Sequence, residues 1–534
     1  MMIPMSRIAL LVSAMIAASG FSAEERKPAG RPNILIILAD DLAAWHLGCY
    51  GNTEIKTPHL DRLAREGVLL RNAFCVTPIC SPSRATLFSG RVPRQHGIHD
   101  FLGGNYDPAK NPNHRRDGQP EPNPPQGQKA IPDSFKDEVM ISDLLAAARY
   151  ECGYVGKWHM GNDLQPQHNY RYWRAGLSSG KFTDAEVSVD GKRVTEKGYS
   201  TEIFTRLATD FIVQKHSQPW FLAISYQNPH LPYSGQPQKY YDLYKNAKFE
   251  TFGIEPKAPN ALREAPFMDD PIKHLRQAAA STTALDDQIP VLLDALETSG
   301  QRGNTLVLFT GDNGFLYGRH GVWSKGWATN PINMYEESIR VPMIISYPKL
   351  QGGRELTQFV SFVDVLPTLC DVAGVRAPVR DRNLSGRSFW SVLQGKRTRW
   401  ENIAFFNFRY CDAVRDERYK LVLRQGNGPD ELFDLQADPR ERENRITDPL
   451  LGKVQRRLQA RLDTWKARYQ RESLDRGQGN EAQGGSANYT FASEETCYSF
   501  AHAPVAQWIR ASDYESEGRG FKSLRARQFC ELPR

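Results

Sequence analysis

The 534-residue sequence predicts a doubly wound α/β domain followed by a smaller α+β domain. Three observations carry that expectation. Uninterrupted apolar runs end in Asp, Asn or His, as strands buried on both faces of a sheet do. Helical patterns separate those runs, which argues for a doubly wound sheet with helices on both sides. After about residue 395 the texture changes to short strands and turns closed by one amphipathic helix.

The elements follow in chain order. Residues 1–23 read as a signal peptide: Arg7 supplies a positive flank, Ile8 to Ala18 an apolar run, and small residues through Ala23 close it. The run is shorter than the roughly 20 residues that span a bilayer as a helix. Export to the periplasm or the medium is therefore expected, with no stable membrane insertion. The α/β domain spans 31–395. "RPNILIILADD" is its first buried strand and ends in Asp40 and Asp41. "EVMISDLLAAARY" is helical. "PWFLAISYQNPHLPY" is a strand with His230 beyond its end, and "IKHLRQAAASTTALDDQIPVLLDALETSG" is again helical. "GNTLVLFTGDNG" repeats the first pattern and ends in Asp312 and Asn313. Ligands of open α/β sheets bind beyond the carboxyl ends of the strands, so these groups share one edge. Gly103 to Phe135, rich in Pro, Asn, Gly and Gln, reads as a long surface insertion. In 396–470, "ENIAFFNF", "DAVRDERYKLVLRQ" and "DELFDLQADPRE" read as short strands and "VQRRLQARLDTWKARY" as a helix. Residues 471–534 have no steady period and read as a disordered or spurious readthrough tail.

Composition narrows the function classes. An apolar fraction of 40% is ample for a core. A net charge of +7 with no long Lys/Arg run suits mild attraction to anionic ligands and argues against nucleic-acid binding. The eight cysteines are scattered without a CxxC pair, which argues against a dense disulfide framework.

Asp40, Asp41, Asp312 and Asn313 offer hard oxygen ligands of the kind that Ca²⁺ or Mg²⁺ takes. Arg84, Lys157, His159, His230, His320 and Lys325 together describe a pocket for a tetrahedral anion beside that cation, with histidines to move protons. Lys157 and His159, at i and i+2, face the same side if the backbone there is extended. Glu336 and Glu337 in "MYEESIRVPMIISYP" read as a helix end entering a buried strand. "CSPSRATLFSG" starts a short helix at Cys80, with Ser81 and Ser83 as capping residues and Gly90 as its stop. A thiol there reads first as an activated thiolate, yet soft sulfur does not suit a hard-oxygen site.

"CSPSRATLFSG" resembles the C-x-P-S-R…G signature of the type I sulfatases. The likeness continues through "NILIILADD", "GKWHMG", "NPHLP", "TGDNG", "HGVWSKG", "YEESIRVPMI", "DVLPTL" and "ELFDLQADP", from about Arg31 to Arg468. Ser89 stands where threonine is more usual and Met160 where leucine is. The resemblance implies an alkaline-phosphatase-like mixed sheet and the small C-terminal domain. It implies that a formylglycine-generating enzyme oxidises Cys80 to formylglycine (3-oxoalanine). Asp40, Asp41, Asp312, Asn313 and residue 80 would then bind Ca²⁺, in preference to Mg²⁺. Arg84, Lys157, His159, His230 and Lys325 would hold the sulfate and handle protons. The implied substrate is a sulfated glycan or small molecule, hydrolysed by the hydrated aldehyde. Two rivals are kept: a phosphonate or phosphodiester hydrolase of the same fold, and a binding protein with a dead site if Cys80 stays a thiol. A Cys–His thiol hydrolase leaves the four oxygen ligands unexplained.

Overall fold

The computed structural model describes residues 30–102, 138–177, 181–262, 265–379 and 383–469. The expected signal peptide, the insertion from Gly103 to Phe135 and the tail after 470 lie outside them.

The strands in chain order are β1 (Asn33–Ala39), β2 (Val68–Phe74), β3 (Glu151–Lys157), β4 (Tyr172–Gly176), β5 (Glu186–Val189), β6 (Lys192–Thr195), β7 (Trp220–Ser225) and β8 (Thr305–Gly311). They continue with β9 (Arg340–Val341), β10 (Met343–Ser346), β11 (Arg354–Ser361), β12 (Ala404–Phe408), β13 (Cys411–Arg415), β14 (Tyr419–Leu423) and β15 (Glu431–Asp434). The first eleven form one sheet in the order β11-β2-β10-β8-β1-β7-β3-β4-β5-β6, with β9 paired to β2 off this path. The central neighbours β8, β1, β7, β3 and β4 run parallel, and β10 is antiparallel to both β8 and β2. This is the expected doubly wound mixed sheet.

β1 shows why an unbroken apolar strand belongs at the centre. Its alternate residues enter opposite cores: Ile34, Ile36 and Leu38 on one face, Leu35, Ile37 and Ala39 on the other. On the first face pack the helices Cys80–Ser89, Ile141–Ala147 and Val365–Ala373. On the second pack Pro58–Glu66, Ser200–Ile212 and Gln288–Thr298. Each fully buried Leu or Ile contributes about 1.5–3 kcal/mol, so neither face tolerates a polar residue until the strand ends. The long helical pattern after Asp270 is two helices, Pro271–Asp286 and Gln288–Thr298. Pro290 lacks an N–H and has a fixed φ, and it sits in the first turn of the second helix, where both are tolerated.

β12–β15 form a four-stranded antiparallel sheet. Phe406, Ala413, Val422 and Phe433 turn inward to the main core, while Val414, Leu421 and Leu432 meet Leu458, Leu462 and Trp465 of the helix Gly452–Arg468. The sheet is thus sandwiched, with one face bound to the large sheet.

Candidate active site

The carboxyl ends of β8, β1, β7 and β3 lie side by side and deliver the polar groups. Asp40 and Asp41 follow β1, Asp312 and Asn313 follow β8, Ser225 ends β7 and Lys157 ends β3. Asp312 ties together the segments that follow β8 and β1. One of its oxygens accepts from the main-chain N–H of Asp41 (3.0 Å) and of Asn313 (2.8 Å). Asn313 Nδ2 donates to Asp41 Oδ1 at 2.8 Å. The helix Cys80–Ser89 enters this edge with its N-terminus, and Cys80 Sγ lies 3.5 Å from Asp40 Oδ1 and 3.9 Å from Asp41 Oδ1.

Arg84, one turn into that helix and fully buried, joins three strands. Its Nε donates to Asp312 Oδ2 (2.8 Å) and its Nη1 to the Lys157 carbonyl (2.7 Å) and Ser225 Oγ (2.6 Å). Its Nη2, 3.6 Å from Asp40, is buried without a hydrogen-bond partner. Lys157 Nζ meets Asp40 Oδ2 at 2.5 Å. Lys325 Nζ pairs with Asp41 and lies 2.9 Å from Cys80 Sγ. His230 Nε2 stands 3.6 Å from Asp41 Oδ2, while its Nδ1 donates to the Leu231 carbonyl at 2.7 Å. His159 Nε2 donates to the Leu102 carbonyl at 2.5 Å, so its buried, unpartnered Nδ1 is the nitrogen left with a lone pair.

Burial and neighbours tune these groups in opposite directions. Burial raises the Asp40 carboxyl, but Lys157, His230, Arg84 and Lys325 outweigh it and hold it well below the usual range. Asp312 is pushed up by burial and by Asp40, against Arg84 and Lys325. Burial lowers His159 and His230, which keeps both neutral near pH 7. Burial pushes the Cys80 thiol up, and Lys157 and Lys325 only partly offset it. The reading of Cys80 as an activated thiolate is therefore corrected: a fully desolvated sulfur beside carboxylates holds its proton.

The donor set fits a hard divalent cation. Asn313 Oδ1 is buried without a hydrogen-bond partner, an acceptor left open on a side chain whose Nδ2 is bonded to Asp41. Ligand atoms of Asp40, Asp41, Cys80 and His230 lie within 4.8 Å of one another. The carboxylates of Asp40, Asp41 and Asp312 cancel the cations of Arg84, Lys157 and Lys325. A divalent ion would therefore leave the pocket net positive, as an anionic substrate requires.

The structure brings together Asp40, Asp41, Cys80, Arg84, Lys157, His159, His230, Asp312, Asn313 and Lys325. His320 stays outside: it stacks on Tyr335 (3.7 Å between ring centroids) and faces Glu337 at 3.4 Å. Lys157 and His159 do not share one side of an extended strand, because β3 ends at Lys157 and His159 has a left-handed backbone (φ 59°). Ser81 and Ser83 are not caps. The N-cap is Ile79, Ser81 Oγ accepts from Leu102 N–H, and Ser83 Oγ donates to the Asp312 carbonyl. Gly90 does close the helix, at φ 67°. Among the described residues Cys49, Cys75, Cys80, Cys152, Cys370 and Cys411 are free thiols. Sequence reading missed Ser225 and the Leu102 carbonyl. Ser225 had a signal, a small polar residue ending an apolar strand; a main-chain carbonyl has none.

The Sulfatase family profile matches residues 32–375, and a profile for the C-terminal part of N-sulphoglucosamine sulphohydrolase matches 318–468. The chain is 25% identical to the N-acetylglucosamine-6-O-sulfatase of Bacteroides thetaiotaomicron, over 87% of this chain and 92% of that one. It is 27% identical to an ulvan-active sulfatase of Formosa agariphila, over 82% of each. A solved structure described as a complex with its substrate D-glucosamine-2-N,6-O-disulfate shares the fold, with a TM-score of 0.68 at 23% identity. That match covers 84% of this chain and 100% of the other.

Proposed function

The chain belongs to the sulfatase family and is a sulfuric ester hydrolase, and from that premise we propose that it is an exported enzyme that desulfates carbohydrates, using Ca²⁺ and a formylglycine made from Cys80. The observation that supports the site is the gathering of ligand atoms of Asp40, Asp41, Cys80 and His230 within 4.8 Å of one another, with Asn313 bonded to Asp41 and its Oδ1 left unpartnered. The carbohydrate part rests on the substrates named for the relatives. Export rests on Arg7 and the apolar run after it; among the described residues no helix is long and apolar enough to cross a membrane. Cell fractionation tests that part, and protein retained in the cytosol contradicts it. Maturation requires a formylglycine-generating enzyme as partner.

Ca²⁺ on Asp40, Asp41, Asp312 and Asn313 would supply a Lewis acid, and the aldehyde hydrate at residue 80 would supply the nucleophile. The remaining work falls to side chains in place. Lys157, Lys325 and Arg84 Nη2 present donors to the sulfate oxygens, and one such preorganised donor is commonly worth about 3–4 kcal/mol. His159 Nδ1, freed by the tautomer that Leu102 selects, accepts a proton. Lys325 Nζ returns one to the departing alcohol; His230 Nε2, unprotonated while Nδ1 donates to Leu231, serves as an acceptor and must first take up a proton before it can give one. Turnover of an aryl sulfate and an aryl phosphodiester by one preparation tests the reaction class: faster sulfate turnover is expected, and faster diester turnover contradicts it. A panel of sulfated mono- and oligosaccharides then tests the substrate class, and inactivity on all of them beside aryl sulfatase activity removes the glycan part.

A further inference from the structure

Glu336 and Glu337 take no part in the pocket, yet both sit in a network of charges, Glu337 buried and Glu336 half-buried. The network belongs to a strap, residues 332–339, that runs between the pocket and the C-terminal sheet. We propose that this strap is a positioning device: Asn333 and Ser338 lock the Lys325 loop to the Asn313 loop, and the C-terminal sheet sets where the strap lies. The proposal rests on the sulfatase reading of the pocket.

On its inner side the strap holds three active-site segments. Asn333 Nδ2 donates to the Lys325 carbonyl (3.2 Å) and Thr329 Oγ1 (3.0 Å). Asn333 Oδ1 accepts from Ser338 Oγ (2.9 Å). The Ser338 carbonyl accepts from the N–H of Gly314 (3.0 Å), the residue after Asn313. The next carbonyl, of Ile339, accepts from the N–H of Cys75, in the segment that leads into the helix at Cys80. Contact with the metal loop is direct: a Cβ at Gly314 would fall 2.0 Å from the Glu337 carbonyl oxygen. Ser338 is fully buried and Asn333 is 1% exposed, so no water competes for these bonds.

On its outer side the strap is gripped by the C-terminal sheet. Arg424 Nε donates to the Ile332 carbonyl (2.9 Å) and Lys420 Nζ to the Met334 carbonyl (2.6 Å). Glu441 accepts from the N–H of Glu336 at 2.7 Å, and the Glu336 side chain accepts from Arg415 (3.0 Å) and Lys420 (3.2 Å). Lys420 and Glu441, both buried, pair with each other. Buried ion pairs are poor investments for stability alone, since apolar residues of the same volume do as well. Here three of the groups bond to main-chain atoms of the strap. Such bonds define a position, which apolar packing does not.

The test uses the full, matured chain and three variants: Asn333→Asp, isosteric but without the donor, Ser338→Ala, and Lys420→Met from the outer side. Measured are kcat and KM on an aryl sulfate, thermal melting, and hydrogen exchange of peptides covering 312–328. Expected is a kcat loss of about 10- to 100-fold with KM nearly unchanged, and faster exchange over 312–328, in variants that still melt cooperatively. Wild-type kcat in folded Asn333→Asp and Ser338→Ala overturns the proposal even if Lys420→Met fails to fold or melting temperatures fall. If the wild-type chain hydrolyses no sulfate ester, the function assigned to the pocket fails instead. Exchange alone then decides: faster exchange supports the strap, and unchanged exchange overturns it.

Discussion

Single atoms of Asp312 carry several duties at once, and that decides what its loss does. The carboxylate accepts from two main-chain N–H groups, pairs with Arg84 and is one of the four proposed oxygen ligands. Asp312→Ala should therefore lose Ca²⁺ binding and activity together. Calorimetric titration checks this, and retained metal affinity contradicts the ligand assignment. Lys325 touches both Asp41 and Cys80, so its removal strips one donor from the reacting sulfate. Lys325→Ala should cost about 10²–10³ in kcat with little change in KM, and unchanged steady-state kinetics contradicts the role. The carboxylates at the sheet edge were legible in the sequence because they interrupt apolar runs, where a buried strand has no packing reason to place one. The tautomer of His159 was not legible, because a main-chain oxygen 57 positions away sets it. His320 was misread for a related reason: its motif neighbour Lys325 is in the pocket, but the left-handed backbone at His320 turns the ring toward Tyr335.

At the scale of elements, the ends of strands and helices hold the site in register. Gly156, next to Lys157 in β3, has φ 91°, and a Cβ there would sit 2.0 Å from the Ser225 carbonyl oxygen. Gly156→Ala should destabilise by more than about 2 kcal/mol. At Gly90, the left-handed stop of the Cys80 helix, the atoms nearest to an added Cβ are the Leu366 side chain and the Val363 carbonyl, at 3.2 Å or more. Gly90→Ala should cost about 1–2 kcal/mol. Denaturant melts rank the two, and the reverse order contradicts the contact argument. Asp286, at the end of its helix, accepts from the N–H groups of His59 and Leu60 and so ties two helices. Burial pushes its carboxyl up to about 7. Its folded pKa thus lies above the unfolded value of about 3.9, and its stabilising share is lost as pH rises from about 4 through 7. Asp286→Asn should flatten the pH dependence of melting in that window; an unchanged slope contradicts the shift. Periodicity showed where helices lie but not their caps. Ser81 and Ser83 are ordinary capping residues by type, and tertiary partners, Leu102 and Asp312, claimed their hydroxyls.

For the molecule as a whole, the mixed sheet brings residues from Asp40 to Lys325 to one edge, and the C-terminal sheet closes on it from the side. The buried parallel strands were legible from their unbroken apolar runs. Their order was not, because β1 lies between β7 and β8, partners some 190 and 270 residues away. A metal that binds only the folded chain stabilises it by mass action, about 2.7 kcal/mol at one hundred times its Kd. Ca²⁺ should therefore raise the melting temperature and chelation should lower it, and a melting temperature indifferent to both contradicts the metal site. The central claim is that the residue working at position 80 is an aldehyde and not a thiol. The mass of the peptide spanning Cys80, from protein made in its native host, tests it most directly. The account predicts a loss of about 18 Da relative to the cysteine peptide; an unshifted mass in an active preparation contradicts it.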